Sequence, residues 1–339
     1  MIKHKLFLLS LFLFYGATAY SYTEIKEYDT EKVISRDSTF YYASLVNDYF
    51  MRNYPDPTAN SFVGGKKRNS RIWTRGVYYE GLMSMYRQTP VEKWYDYTQE
   101  WGDFHKWISN DTKAPTNADF HCCGMAYLDM YMLDTLQTIR KTHIKNHIDA
   151  LMYERKSIDD WYWVDAVHMA MPIYAQLGSI ENDDRYFEYM YDMYMFTRDK
   201  QGDTGKSSKG KGKGAPLFNE TDGLWYRDYQ FDPPYTDKVE TDKPCYWSRG
   251  NGWVYTALMR VLRFAIKIDT WKTSPLCPKL SLNANAKTAF GRSALQPRRT
   301  TGLPKQKVQK PQAQHFSSQV WLTEYARDYS TARHIYLMW

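Results

Sequence analysis

The chain has 339 residues, enough to bury one large core or two modest ones, and it is rich in tyrosine and tryptophan. Its formal net charge is +7, but the excess of Lys and Arg lies almost entirely after Arg263. The main body lacks a basic stripe with interleaved aromatic residues, which argues against nucleic acid as a partner.

The N-terminus has the pattern of a secretory signal peptide. A basic start is followed by an apolar run from Leu6 to Tyr15 and by the small residues of an Ala-Thr-Ala site. The apolar run is too short to span a bilayer, and no later stretch is better suited to do so. We therefore expect residues 1–19 to be removed and the protein to be exported, periplasmic or secreted, without membrane insertion.

Helical periodicity dominates the body of the chain, and strand-like alternation is nearly absent. Amphipathic segments bounded by capping residues, proline or glycine predict helices over residues 39–54, 76–88, 91–108, 120–140, 163–177, 184–198 and 252–266. The predicted fold class is therefore all-α, and helix pairs joined by loops favour a toroid or solenoid over a small bundle. Residues 200–214 are of low complexity and predict a flexible insertion.

The C-terminal part differs from the body before it. Residues 267–314 are rich in Pro, Ser, Lys and Gln and lack helical periodicity. We interpret residues 20–266 as one helical domain and residues 267–339 as an atypical basic tail. Our hypothesis is that a change of reading frame replaced the native end, which would leave the helical domain incomplete at its C-terminus.

The cysteines and histidines give no metal-binding pattern. The four cysteines are either adjacent, as Cys122 and Cys123 are, or far apart, as Cys245 and Cys277 are, and we predict free thiols. No CxxC or HExxH pattern is present, so we expect neither a metal nor a cofactor.

A lone carboxylate in an apolar segment is the first candidate for chemistry. Residues 161–180 read WYWVDAVHMAMPIYAQLGSI, in which Asp165 is flanked by Trp161, Trp163 and Val164. Removal from water would raise its pKa toward the range that a general acid needs. A structural carboxylate that caps a helix or pairs with an arginine is the alternative, and the segment alone does not decide between them.

Two further segments place charged side chains at predicted helix starts or turns. Asp119 and His121 begin a predicted helix, where Asp119 could also be an ordinary N-cap. Arg227 follows a turn in the segment GLWYRD.

The segment WSRGNGW places Arg249 between Trp247 and Trp253. A guanidinium fork suits a carboxylate on a ligand, and tryptophan faces suit a sugar ring. A helix-entry loop with a structural arginine is the alternative for this segment.

Five motifs in order resemble the unsaturated uronyl hydrolases of glycoside hydrolase family 105, relatives of family 88. They are WTRGVYYEGLMSMY (73–86), ADFHCCGMAYLDMY (118–131), WYWVDAVHMAMP (161–172), GLWYRD (223–228) and WSRGNGW (247–253). The resemblance covers roughly residues 40–262. It implies an (α/α)6 barrel with the site at its mouth. The implied substrates are short oligosaccharides, such as those from pectin, that lyases leave with a 4,5-unsaturated uronic acid at the non-reducing end.

The resemblance also assigns residues to roles. Asp165 matches the catalytic acid, Asp119 the second active-site aspartate and Arg249 the arginine that would hold the uronate. Arg227 lies where some members have a histidine. His168 departs from the family pattern, and we interpret it as a core histidine. The residues expected to contact substrate are Arg249, Trp163, Arg227, His121, Trp247, Trp253 and Trp73.

Two other functions remain open from the sequence. A non-catalytic carbohydrate-binding or inactive member of the same fold would keep the tryptophans and Arg249 but would not need Asp165. An endo-acting hydrolase on a helical toroid would need two catalytic carboxylates and would act on intact polymer.

Overall fold

The computed structural model describes residues 35–109, 114–200, 216–228, 231 and 245–265. The predictions for residues 1–19, for the low-complexity insertion beyond Lys200 and for the tail 267–339 lie outside these residues. The chain divides into two compact units, Met1–Ser38 and Thr39–Trp339, and the architecture below is that of the second.

Within the described residues the secondary structure is almost entirely helical, which confirms the predicted all-α class. The helices are α1 Arg36–Asn53, α2 Trp73–Gln88, α3 Glu92–Phe104, α4 Ala118–His121, α5 Cys123–Leu133, α6 Ile139–Asp149, α7 Val164–Glu181, α8 Arg185–Lys200 and α9 Ser248–Ala265. A π-helical turn, Ala150–Arg155, continues α6. Two antiparallel hairpins complete the described part: β1 Ser61–Val63 with β2 Lys66–Arg68, and β3 Phe218–Asn219 with β4 Leu224–Trp225.

The predicted single helix over residues 120–140 is wrong, because the chain forms α4, α5 and the start of α6 there. Asp134 ends α5 with an extended backbone, φ −143° and ψ 95°. Its Oδ1 accepts a hydrogen bond from the Leu136 N–H at 3.1 Å. A short acidic side chain that bonds the backbone two residues ahead favours a turn over continued helix.

Most of α6 was not predicted from the sequence, because its residues are mainly polar. Its buried side chains are Arg140, Ile144 and Ile148, spaced four residues apart on one face. The Arg140 guanidinium donates to the Met130 carbonyl oxygen at 2.8 Å. Only two of the three buried positions are apolar, so the hydrophobic pattern is too weak to reveal the helix.

Helix α7 is the centre of the larger hydrophobic core. From Ala166 to Gly178 every side chain is buried, and α7 packs most extensively against α9 and α8. A second cluster lies around α2, α3 and α5, where the Tyr79 and Trp101 rings stack at 3.8 Å. Burial of such apolar side chains supplies about 1.5–3 kcal/mol each, so the start of α7 is firmly held.

Within the described residues, no helix combines the length and apolarity needed to cross a membrane. Three of the four cysteines fall there, and Cys122, Cys123 and Cys245 are all free thiols, as predicted. The fourth, Cys277, lies outside the described residues.

Candidate active site

Asp165 occupies the first turn of α7, next to the strand-like segment 223–228. Trp163 precedes the helix in an extended conformation and forms a β-bridge with Asp228. The Val164 N–H donates to the Arg227 carbonyl oxygen at 2.8 Å. This backbone pairing holds Arg227 beside the start of the helix that carries Asp165.

The Asp165 carboxyl is largely removed from water. Its Oδ2 atom is buried and has no hydrogen-bond partner among the residues that the structure describes. Burial raises the pKa of Asp165, while the charges of Arg227 and Arg249 oppose that rise. The carboxyl is therefore an acid in an apolar wall with two cations nearby, which matches the environment predicted for it.

Asp119 lies in the short helix α4, and it is not the residue that caps it. Asn117 caps α4, since its Oδ1 accepts a hydrogen bond from the Asp119 N–H at 2.9 Å. The alternative that Asp119 is an ordinary N-cap is therefore wrong. Its carboxyl remains available for another task.

Burial, and next the negative charge of Asp165, raise the pKa of Asp119 to about 6. Arg68 and Arg227 oppose this rise. The two carboxyls thus influence one another, and the site retains a proton to higher pH than an isolated aspartate does.

This shift predicts how stability depends on pH. A carboxyl whose pKa rises from 3.8 to about 6 on folding binds its proton more tightly in the folded state. The contribution of Asp119 to the free energy of unfolding should therefore fall as pH rises from about 4 through about 6. The variant Asp119→Asn lacks this contribution, so its free energy of unfolding should rise relative to that of the parent over the same pH range. Denaturant unfolding at several pH values measures it, and identical slopes for the two proteins would contradict the shift.

Arg249 reaches the site from the first turn of α9. Its guanidinium carbon lies 4.2 Å from the centroid of the Trp247 ring, a cation–π contact. At Gly250 an added Cβ would lie 2.8 Å from Val164 Cγ1 and 2.8 Å from Trp247. Only glycine allows α9 to pass so close to the start of α7.

Asn251 joins the motifs GLWYRD and WSRGNGW. Its Oδ1 accepts from the Trp225 N–H at 2.8 Å, and its Nδ2 donates to the carbonyl oxygens of Trp225 and Trp247 at 3.0 and 3.1 Å. Asn251 was not predicted from the sequence, although an asparagine between two glycines at a helix start could have indicated these backbone hydrogen bonds.

Three arginines act electrostatically on the two carboxyls. Arg227 opposes the rise in pKa of both Asp165 and Asp119, whereas Arg249 acts on Asp165 and Arg68 on Asp119. Each carboxyl is therefore under the influence of two positive charges, and Arg227 is common to both. Arg68 was not predicted from the sequence; it lies in a basic hairpin after two glycines.

Arg249 and Arg68 differ from Arg227. Arg227 forms an ion pair with Asp228, with 2.5 Å between Nη1 and Oδ2. Across the described part of the chain, neither Arg249 nor Arg68 has a carboxylate within ion-pair distance. These two guanidinium groups can therefore bind anionic groups of a ligand without breaking an ion pair within the protein.

The predicted aromatic contacts differ in accessibility. Trp73 and Trp247 are partly buried and keep accessible surface, whereas Trp163 and Trp253 are 9% and 8% exposed. The Trp253 ring lies 4.5 Å from that of His168 and packs in the interior.

His121 is buried beneath the site. Its side chain is 1% exposed, and its Nε2 lies 2.8 Å from the Pro115 carbonyl oxygen and 3.1 Å from His147 Nε2. Burial, together with the neighbouring His147, lowers its pKa to about 3. This position does not support the direct substrate contact predicted for His121.

A buried polar network extends from the site into the core. His168 lies between Glu80 and Thr256, with 3.1 Å to each, so it is the core histidine that the sequence suggested. Glu80 pairs with Arg260 at 2.9 Å, and Arg260 also contacts Asp129 at 3.3 Å. The described residues hold no cluster of three or more histidine, cysteine or acidic side chains arranged for a metal ion.

The sequence profile of glycosyl hydrolase family 88 matches residues 42–279, and the chain belongs to this family. The predicted resemblance to family 105 and its relative family 88 is thereby confirmed.

A relative described as unsaturated 3S-rhamnoglycuronyl hydrolase, from Alteromonas sp. (strain LOR), is 23% identical over 230 residues. The alignment covers 58% of this chain and 48% of the relative. The chain spans about half the length of the curated relatives that it matches.

Solved structures share the fold. A glycosyl hydrolase of family 88 from Bacteroides vulgatus has a TM-score of 0.62 at 20% identity, covering 78% of this chain and 70% of that one. A polysaccharide lyase has a TM-score of 0.61 at 17% identity, covering 88% and 99%. The predicted six-hairpin class, the (α/α)6 barrel, is confirmed by this likeness. Because a lyase shares it, the fold alone does not decide the reaction.

Proposed function

We propose that this protein is a glycoside hydrolase that removes a 4,5-unsaturated uronic acid from the non-reducing end of lyase-generated oligosaccharides. The observation that carries the proposal is the Asp165 carboxyl, whose Oδ2 is buried without a partner among the described residues and which lies within electrostatic reach of two arginines. Such a carboxyl can retain a proton, and a guanidinium beside it can bind the carboxylate of the substrate. Family membership and the name of the Alteromonas relative support the same class.

The reaction is a hydration of the vinyl ether. Asp165 donates its proton to C4 of the C4=C5 double bond, and the ring oxygen stabilises the positive charge that develops at C5. The resulting carboxylate then accepts a proton from water as the water oxygen bonds to C5. The hemiketal at C5 opens spontaneously to a ketone, which leaves a hemiacetal at C1. That hemiacetal breaks down to an aldehyde and releases the next sugar, which keeps its glycosidic oxygen. One aspartate therefore serves as acid and then as base.

Substrate binding would raise the pKa of Asp165 and so favour its protonated form. In the free protein, Arg227 and Arg249 favour ionisation of Asp165, while Asp119 holds a proton up to about pH 6. A uronate bound to Arg249 offsets that positive charge and raises the pKa of Asp165. Asp119 would then orient the sugar hydroxyls or the attacking water.

The substrate class follows from the same site. We propose that the released sugar is rhamnose or a related residue, as in pectin fragments and in the rhamnoglycuronyl substrate that the relative's name gives. We also propose that the protein is exported after removal of residues 1–19.

The experiment that tests the function follows the absorbance of the enol ether during incubation with lyase digests of several polysaccharides. Hydration removes the chromophore, so the absorbance should fall with at least one digest. Binding without loss of absorbance would instead favour the non-catalytic carbohydrate-binding alternative.

The variant Arg249→Lys is expected to weaken substrate binding. A lysine cannot reproduce the two-pronged contact of a guanidinium with a carboxylate, and the expected cost is about 1.5–3 kcal/mol. The Michaelis constant should therefore rise, by roughly tenfold or more, with little change in melting temperature. A lower melting temperature with an unchanged Michaelis constant would mean that Arg249 supports the loop and does not bind substrate.

A further inference from the structure

The hairpin of β1 and β2 contacts the start of α2 through one of its faces. Ser61 pairs with Arg68 across the hairpin, and Phe62 pairs with Lys67. Directly paired residues lie on the same face, so Ser61 and Arg68 share one face while Phe62 and Lys67 share the other. The second face is the solvent face, since Phe62 is 74% exposed.

A chain of contacts joins the Arg68 face to Cys122, which follows the helix that carries Asp119. The Ser61 hydroxyl lies 2.8 Å from the Thr74 hydroxyl in the first turn of α2. Two residues later, an added Cβ at Gly76 would lie 3.2 Å from the Cys122 Sγ. Helix α2 therefore packs closely on the segment that follows α4, the helix that carries Asp119.

Arg68 itself is poised for an external partner. Its Nε is buried yet lacks a hydrogen-bond acceptor among the residues that the structure describes. Its charge acts on Asp119, whereas that of Arg249 acts on Asp165. A guanidinium that is partly desolvated and unpaired is costly unless a ligand supplies an anionic acceptor.

We propose that Arg68 is a specificity-determining residue that binds an anionic substituent on the sugar next to the unsaturated uronic acid. This inference rests on the proposed function, in which Arg249 holds the carboxylate of the unsaturated uronic acid itself. The substituent is a sulfate ester or a second carboxylate, because these are planar or tetrahedral oxyanions that a guanidinium fork binds with two hydrogen bonds.

The test uses three unsaturated disaccharides that differ only in the second sugar, which carries a sulfate ester, a carboxylate or neither. The variants are Arg68→Gln, which removes the charge, and Lys67→Gln, a matched control on the solvent face of the same hairpin. Loss of the enol-ether absorbance gives kcat/KM for each combination of protein and disaccharide. Melting temperatures show whether the variants remain folded.

Arg68→Gln should lower kcat/KM on one anionic disaccharide by about tenfold or more beyond its effect on the neutral one. The neutral disaccharide reports the influence of Arg68 on the pKa of Asp119, and the excess loss reports the charge-assisted contact. Lys67→Gln should change none of the three. The anionic disaccharide whose kcat/KM falls shows whether Arg68 binds a sulfate ester or a carboxylate. Equal losses on anionic and neutral disaccharides, or no loss, would overturn the proposal.

Failure of the proposed function would look different. If the parent protein leaves the absorbance of all three disaccharides unchanged, titration calorimetry with the same ligands and variants measures binding alone. Selectively weaker binding of an anionic disaccharide by Arg68→Gln would then support the anion site although the hydration had failed. Absence of binding, or equal weakening for all three, would overturn the Arg68 proposal as well.

Discussion

Replacing Asp165 with asparagine is expected to lower kcat by roughly three orders of magnitude or more, in line with removal of an essential acid and base. The amide keeps the shape of the side chain but has no acidic proton to donate to C4. Since the Asp165 Oδ2 has no hydrogen-bond partner among the described residues, little structural stabilisation is lost with it. Melting temperature and substrate affinity should therefore change little, and steady-state kinetics with calorimetry measure all three quantities.

A structural carboxylate in the same segment provides the control. Asp160 is buried and accepts two hydrogen bonds from Arg155, at 2.7 and 2.9 Å. The variant Asp160→Asn should lose stability and keep most of its kcat. An Asp165→Asn protein with activity within about tenfold of the parent would remove Asp165 from the role of acid.

The second large effect is expected on stability, from the variant Arg260→Met. The Arg260 side chain is 1% exposed and contacts Glu80 at 2.9 Å and Asp129 at 3.3 Å. Methionine fills a similar volume, but it leaves the buried carboxylates of Glu80 and Asp129 without the positive charge of Arg260. Removal of one partner from a buried ionic network costs about 3–5 kcal/mol. Denaturant unfolding at neutral pH measures the change.

The pH dependence of this loss gives a further check. Arg87 and Arg260 hold the pKa of Asp129 below its usual value, so the stabilisation is present above the unfolded pKa and is lost as pH falls. The destabilisation by Arg260→Met should therefore shrink on acidification.

The exposed pair Arg185–Asp183 provides the matched control, since the Arg185 side chain is 67% exposed. Arg185→Met should cost less than about 1 kcal/mol. Equal losses for the two arginine variants at neutral pH would contradict the account of the buried network.

The local sequence pattern was sufficient for the features that depend on neighbours in the chain. Helix α7 and the burial of Asp165 follow from a run of apolar residues around one carboxylate, and no distant partner is needed to predict them. The same reasoning failed at Asp134, where an apolar periodicity continued across a residue whose side chain bonds the backbone ahead.

Partners that are distant in the chain could not be predicted in this way. Arg260 meets Asp129 across 131 positions, and Asn251 meets Trp225 across 26. Such contacts depend on how helices pack, and no spacing in the sequence encodes them. Arg68 was missed for the same reason, because its relation to Asp119 arises only through the packing of α2 against the segment after α4.

The proposed reaction is a hydration at C4 and C5 of the unsaturated uronic acid. The most direct measurement runs the reaction in D2O on one unsaturated disaccharide and follows it by NMR from the earliest time points, with the enol-ether absorbance recorded in parallel. We predict that the vinyl signal disappears at the rate at which the second sugar is released, and that deuterium enters C4 in a single configuration. Release of the second sugar together with a uronic acid that still contains its C4=C5 double bond would contradict the account.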